Sequence, residues 1–159
     1  MAATNNVTRM LDAAKVVYTA FDLPVDKLSA VETAEILNLP AALVYKTIVV
    51  NRNKGKPILC VVPGDSEVDL KAVASVLGEK KVFIPTQAEA EKQTGLQAGG
   101  ISPLALIHKG FEVLVDASAN THPEIHISGG QRGLNIRLAA ADLVRLTGAK
   151  VAAIAETLH

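Results

Sequence analysis

Ser/Thr-x-x-Glu/Asp tetrads punctuate this chain, and the apolar runs between three of them are too short for a chain of long helices: Ser29-Ala30-Val31-Glu32, Ser66-Glu67-Val68-Asp69 and Thr86-Gln87-Ala88-Glu89. Such a tetrad marks a helix start. The hydroxyl accepts a first-turn amide, and the acid reaches back to the amide of the capping residue. The first predicts a helix over residues 30–37, stopped by Asn38 and Pro40. The second predicts a helix with Leu70, Val73 and Leu77 on one stripe, ended by Gly78. The third opens a short helix closed by Gly95. A further helix is predicted near the N-terminus, where Val7, Met10, Leu11 and Ala14 recur at helical spacing behind Thr4-Asn5-Asn6.

The intervening runs carry the β-branched density of strands. Val44-Tyr45-Lys46-Thr47-Ile48-Val49-Val50 leads through the turn residues 51–56 into Pro57-Ile58-Leu59-Cys60-Val61-Val62-Pro63, which predicts a hairpin. Strands are also expected at Lys81-Val82-Phe83-Ile84, at residues 111–115 and at residues 124–128. Ser128-Gly129-Gly130-Gln131-Arg132-Gly133 then turns the chain before Leu134-Asn135-Ile136-Arg137, and residues 138–146 form a last helix. Residues 16–21 suit a helix or a strand, and period alone leaves both open. Helices are interspersed without regular βαβ alternation, so an α/β protein of the α+β type is expected, with a mixed, largely antiparallel sheet.

The chain has 159 residues, 49% of them hydrophobic, without Trp and with 3% aromatics. One domain over residues 1–159 is expected, with a core of Val, Ile, Leu and Ala. Sixteen basic residues balance sixteen acidic ones, so no global field draws the protein onto a nucleic acid and any RNA contact must be local. The lone cysteine, Cys60, has no partner for an internal disulfide and points to a reducing compartment. No apolar run is long enough to span a bilayer, and Met1-Ala2-Ala3-Thr4-Asn5-Asn6 lacks the pattern of a signal peptide. A cytoplasmic location is expected.

Few residues invite chemistry. Strand alternation places Lys46 on one face with Val44, Ile48 and Val50. An ammonium there either snorkels out at the strand end or meets an anion in a cleft. Gly99-Gly100-Ile101-Ser102-Pro103 permits close backbone approach, so its amides could hold an anion or a developing oxyanion, or it is a plain turn. The 128–133 segment has the same two readings. Neither loop is a Gly-x-Ser-x-Gly elbow, and His108, His122, His126 and His159 lack the neighbours of a Ser-His-Asp set. His122-Pro123-Glu124-Ile125-His126 has a zinc-like spacing, but Pro123 and the β-like residues after it oppose helical geometry. No metal or cofactor is expected.

Taken in order, the Lys46 strand, the 99–103 loop and Ser128-Gly129-Gly130-Gln131-Arg132-Gly133-Leu134 resemble the YbaK/EbsC family, with its relatives ProX and the prolyl-tRNA synthetase editing insertion. Asp69-Leu70-Lys71-Ala72-Val73-Ala74 before Lys80-Lys81-Val82 is similar to the middle of that family, so the resemblance covers nearly the whole chain. It implies a barrel-like mixed sheet with surrounding helices, residues 16–21 partly strand, and a cleft for the acceptor end of a mischarged tRNA. Lys46 matches the functional lysine, and Gly99 with Pro103 matches a Gly-x-x-x-Pro loop. The implied substrate-binding set is Gly99, Gly100, Ile101, Ser102, Pro103, Ser128, Gly129, Arg132 and Asn135.

The implied activity is trans-editing: hydrolysis of the aminoacyl ester, with the substrate's own thiol or ribose hydroxyl assisting, and with prolyl-tRNA synthetase as a candidate partner. Asn135 stands where several relatives carry aspartate, and a carboxamide supplies no negative charge. Phe21-Asp22-Leu23-Pro24-Val25-Asp26 lacks the histidine-containing pattern many relatives have on one pocket wall. Cysteinyl-tRNA(Pro) is the leading substrate, with alanyl or other mischarged tRNAs open. A catalytically silent module that binds tRNA or a synthetase, and an unrelated small-ligand domain, are the competing readings.

Overall fold

The computed structural model describes residues 4–157. Helix α1 (Asn6–Ala13) starts where the polar triplet predicts. The Asn5 side chain accepts from the Thr8 amide, and the Thr8 hydroxyl accepts from the Asn5 amide. Residues 16–21 resolve toward strand: α1 stops at Ala13, Lys15 takes a φ of 58°, and β1 (Tyr18–Asp22) follows. Ser29 and Glu32 make their reciprocal cap, α2 (Ala30–Leu37) follows, and left-handed Asn38 ends it. The hairpin of β2 (Tyr45–Arg52) and β3 (Ile58–Pro63) is antiparallel, with Lys46 opposite Val62 and Ile48 opposite Cys60.

The second tetrad is not a capping box. Residues 66–68 form β4 (Ser66–Val68), and Asp69 is the true N-cap, its carboxylate accepting from the Ala72 amide ahead of α3 (Leu70–Leu77). A late strand at residues 155–157 recruits Ser66 and Glu67 into pairing, and nothing local to the tetrad announces that partner. After α3 come β5 (Val82–Phe83) and α4 (Gln87–Thr94), whose Thr86–Glu89 capping box and left-handed Gly95 are as expected. A 3-10 turn (Leu104–Lys109) leads to β6 (Glu112–Asp116), and another (Ala117–Thr121) to β7 (Glu124–Ser128).

Strand β8 (Leu134–Ala139) runs two residues further than expected, because Leu138 and Ala139 pair with Ile125 and Glu124. The last helix is therefore α5 (Ala140–Thr147), beginning after Ala139 rather than at Leu138. Two short strands unforeseen in the sequence, β9 (Lys150–Ala152) and β10 (Ala155–Thr157), close the described chain.

Strand order is β5-β2-β3-β6-β9 in the largest sheet, β1-β8-β7 in the second and β10-β4 in the third. Only β3–β6 and β6–β9 pair in parallel, so the assembly is mixed and largely antiparallel. Among the described residues none of the sheets closes into a barrel. The outer strands of the largest, β5 and β9, each pair on one side only, and a single parallel bridge between Val44 and His126 links it to the second sheet.

Alternation divides the core in two. Tyr45, Val49, Leu59 and Val61 pack with Ile125, Ile136 and Leu143, while Val50, Ile58, Cys60 and Val62 pack with Val73 and Ile154. Buried Asp116 pins the C-terminal segment by accepting from the Ile154 and Ala155 amides through Oδ1 and from the Ser118 amide through Oδ2. The Ile154 amide is buried, and leaving it unpaired would be costly.

Cys60 lies at the centre of the second core layer, with no exposure, and burial pushes its thiol up to about 12. A group so rarely ionised is a poor nucleophile. Cys60→Ala is expected to cost about 1–2 kcal/mol through lost packing, read by chemical denaturation, and to leave turnover unchanged. A covalent adduct on Cys60 during turnover would contradict this.

Candidate active site

A cleft of about 390 Å³ opens between the approach to α2, the start of β2, the 98–101 loop and the adjoining ends of β7 and β8. Gly64 makes this convergence possible. Its amide donates to the carbonyls of Val44 (2.8 Å) and Ala41 (3.2 Å), and an added Cβ would lie 2.9 Å from both the Val44 oxygen and the Ala30 Cβ. Only glycine lets the chain leaving β3 pass so close to α2. Gly64 was missed from the sequence, where Pro63-Gly64-Asp65 gives only a turn signal.

Lys46 lines this cleft from the start of β2. It is half-buried, and desolvation pulls its pKa below the ordinary 10.5, with Glu67 and Asp65 pulling the other way. Those carboxylates act through space: among the described residues none forms a hydrogen bond or ion pair with the ammonium. Lys46 also borders a second cavity of about 730 Å³, reached on the side of Glu67, Leu70 and Ile84. A half-desolvated cation without a direct partner is suited to an anionic or strongly polar ligand oxygen.

The glycine loops contribute unequally. Gly99, at a φ of +89°, and Ile101 line the cleft, as do Ser128 and Asn135. Gly100, Ser102, Pro103, Gly129 and Arg132 stand behind the wall. A Cβ on Gly100 would lie 2.8 Å from the Gln131 Cα and 2.9 Å from the Arg132 nitrogen, so the close approach made there is loop to loop. Arg132 Nε donates to the Ala98 carbonyl at 2.7 Å, which ties the same two loops. Ser102 is fully buried, and its hydroxyl accepts from the Leu104 amide at the start of the 3-10 turn that Pro103 precedes. Gly129 makes room for Leu134, whose Cγ would lie 2.5 Å from an added Cβ.

Hydroxyls of Ser29, Thr33, Tyr45, Thr47 and Ser128 belong to residues of the wall, yet none of the described histidines lines it. Ser29 is occupied as the α2 cap, Ser128 accepts from the Gly130 amide and Tyr45 pairs with Ser118. His126 is buried one residue behind the cleft, where its Nδ1 meets Asn135 Oδ1 at 2.9 Å. His108 is exposed, His122 ends a 3-10 turn, and His159 lies outside the described residues. Among the described residues no three His, Cys, Asp or Glu side chains are placed to hold a metal ion, and no helix is long and apolar enough to cross a membrane.

Residues 25–146 match the model of the family described as the aminoacyl-tRNA editing domain. The chain belongs to that family, and by class it is an aminoacyl-tRNA deacylase. It is 35% identical over 151 residues to an Enterococcus faecalis protein named "Putative Cys-tRNA(Pro)/Cys-tRNA(Cys) deacylase EbsC", covering 94% of this chain and 92% of that one. It is 26% identical over 133 residues to a proline–tRNA ligase of Trichlorobacter lovleyi, covering 78% of this chain but 23% of the ligase. A crystal structure of "a putative trans-editing enzyme for prolyl tRNA synthetase" shares the fold, with a TM-score of 0.78 at 24% identity over 98% of this chain and 99% of that one.

Proposed function

We propose that the chain hydrolyses the ester of Cys-tRNA(Pro) in trans, with Lys46 orienting the acceptor end and the 99–101 loop lining the reacting ester. The observation that carries this reading is the Lys46 ammonium, half-buried on the cleft wall without a hydrogen-bonded partner among the described residues. The E. faecalis relative, alike over nearly its full length, supports the choice of amino acid and tRNA by the name it bears. The ligase relative supports prolyl-tRNA synthetase as a partner that supplies tRNA affinity, since the net charge of this chain is zero.

Ester cleavage needs a positioned carbonyl, a stabilised oxyanion and a nucleophile, and among the described residues no wall hydroxyl is hydrogen-bonded to a histidine that could activate it. The nucleophile is then water or the substrate's own thiol. Its oxygen or sulfur bonds to the carbonyl carbon, the C–O bond to the ribose breaks, and the proton lost by the nucleophile ends on the ribose oxygen; the water route leaves the free amino acid, and the thiol route leaves a cyclic thioester that a water then opens. Lys46 and the loop amides stabilise charge along this path without forming a bond to the substrate.

Deacylation of a panel comprising Cys-tRNA(Pro), Ala-tRNA(Pro), Pro-tRNA(Pro) and Cys-tRNA(Cys), each with and without prolyl-tRNA synthetase, tests this. Cys-tRNA(Pro) is expected to turn over at least tenfold faster than Pro-tRNA(Pro), a ratio worth about 1.4 kcal/mol of discrimination. Faster turnover of Ala-tRNA(Pro) would replace the substrate, and no turnover of any ester would favour a silent binding module.

A further inference from the structure

Asn135 sits on the middle strand of the three-stranded sheet, opposite Phe21 on β1 and Ser128 on β7. His126 is opposite Arg137, two residues along β8, so His126 and Asn135 are diagonal neighbours on one face. The other face carries Ile125, Ile127, Ile136 and Leu138 into the core. Both His126 and Asn135 are 4% exposed, yet only Asn135 reaches the cleft. His126 is therefore shielded from the cleft while touching a side chain that lines it.

A carboxamide has two unlike ends: Oδ1 only accepts hydrogen bonds and Nδ2 only donates. Oδ1 lies 2.9 Å from His126 Nδ1, a hydrogen bond in which Nδ1 donates when it carries the proton. Desolvation holds the imidazole below its ordinary pKa of 6.5; the Asn135 bond and Glu124 oppose that shift, and Arg137 adds to it. The Phe21 ring, with centroids 5.4 Å apart, packs against the imidazole, and Val44 bridges the His126 backbone. A neutral imidazole has one N–H, and only the Nδ1–H tautomer can donate it to Asn135 Oδ1.

We propose that His126 is a positioning residue that fixes the Asn135 carboxamide with its NH2 end toward the cleft, making that part of the wall a neutral hydrogen-bond donor. The ligand group placed there is an oxygen acceptor, the ester carbonyl or a ribose oxygen, rather than the α-ammonium an aspartate would attract. The identity of this ligand as an aminoacyl ester rests on the deacylase reading above. The orientation of the amide does not.

Two measurements separate these layers. Nitrogen-15 NMR of the free protein at pH 7 is expected to show His126 neutral with its proton on Nδ1. An Nε2–H tautomer, whose Nδ1 accepts rather than donates, would overturn the proposal whatever the substrate proves to be. In deacylation, His126→Phe keeps an apolar ring but no donor, and is expected to lower kcat about tenfold with KM within twofold. His126→Asn restores an N–H near the Nδ1 position and should recover most of that loss, and Asn135→Asp, which replaces the donor by an acceptor, should lower kcat/KM about tenfold or more. Wild-type kcat in a folded His126→Phe protein, or failure of a folded His126→Asn protein to exceed it, would also overturn the proposal. Inactivity of the wild type on the whole panel defeats the deacylase reading alone, because the tautomer is measured without substrate.

Discussion

Lys46→Ala is expected to lower deacylation of the mischarged substrate by about 100- to 1,000-fold, the usual effect of deleting one preorganised charge-stabilising group, while the protein stays folded. The stem of Lys46 borders Ile48 in the cleft wall, but the ammonium makes no direct bond to the described residues, so its removal leaves no orphaned partner. The electrostatic consequence has a definite sign. Desolvation lowers the Lys46 pKa in the folded state, so the folded protein holds that proton less tightly than the unfolded chain does. The charged lysine therefore opposes folding at neutral pH, and the opposition fades as pH rises from the depressed pKa toward the ordinary 10.5. Lys46→Met, which keeps an unbranched stem, is expected to be at least as stable as wild type at pH 7 by urea denaturation and as inactive as Lys46→Ala. Wild-type turnover in either variant, at saturating and limiting substrate, would remove Lys46 from the mechanism.

Gly100→Val is the variant expected to lose both stability and activity. Its Cβ would enter the backbone of residues 131–132 at 2.8–2.9 Å, and backbone cannot rotate aside as a side-chain tip can. The two loops must separate, at a cost of about 2–4 kcal/mol, and Gly99 and Ile101 leave the cleft wall with them. Activity is lost through displacement of the wall rather than by crowding the ester, which Gly100 does not face. Ser102→Ala provides the contrast. It removes a buried acceptor from the Leu104 amide, costing about 1–3 kcal/mol, and leaves turnover largely intact because the hydroxyl is sealed from the cleft. Thermal denaturation and single-turnover deacylation of the pair decide the matter. An acyl-enzyme trapped on Ser102, or a Gly100→Val protein of wild-type stability, would contradict this account.

Legibility in the sequence follows the range of the interactions. The α2 and α4 boundaries are written within four residues, by Ser29 with Glu32 and by Thr86 with Glu89, so local reading finds them. The Ser66–Asp69 tetrad has the same pattern and a different outcome, because β10, some ninety residues on, takes Ser66 and Glu67 into a sheet. Asp116 shows the same limit: its carboxylate holds amides 38 and 39 residues away, and its sequence neighbours give no hint of them.

By itself the sequence determined the caps of α1, α2 and α4, the β2–β3 hairpin, the aliphatic core and the placing of Lys46 on a strand face with apolar neighbours, since each depends on residue type and short-range period. Tertiary structure alone decided what Lys46 faces, that Gly64 rather than Gly100 lets the cleft walls converge, and that Ser102 and Arg132 support the wall from behind. It also decided that His126 meets Asn135. The physical reason is that strand pairing and loop contact act between residues far apart in the chain, where desolvation and close approach are set by the partner's position rather than by local sequence.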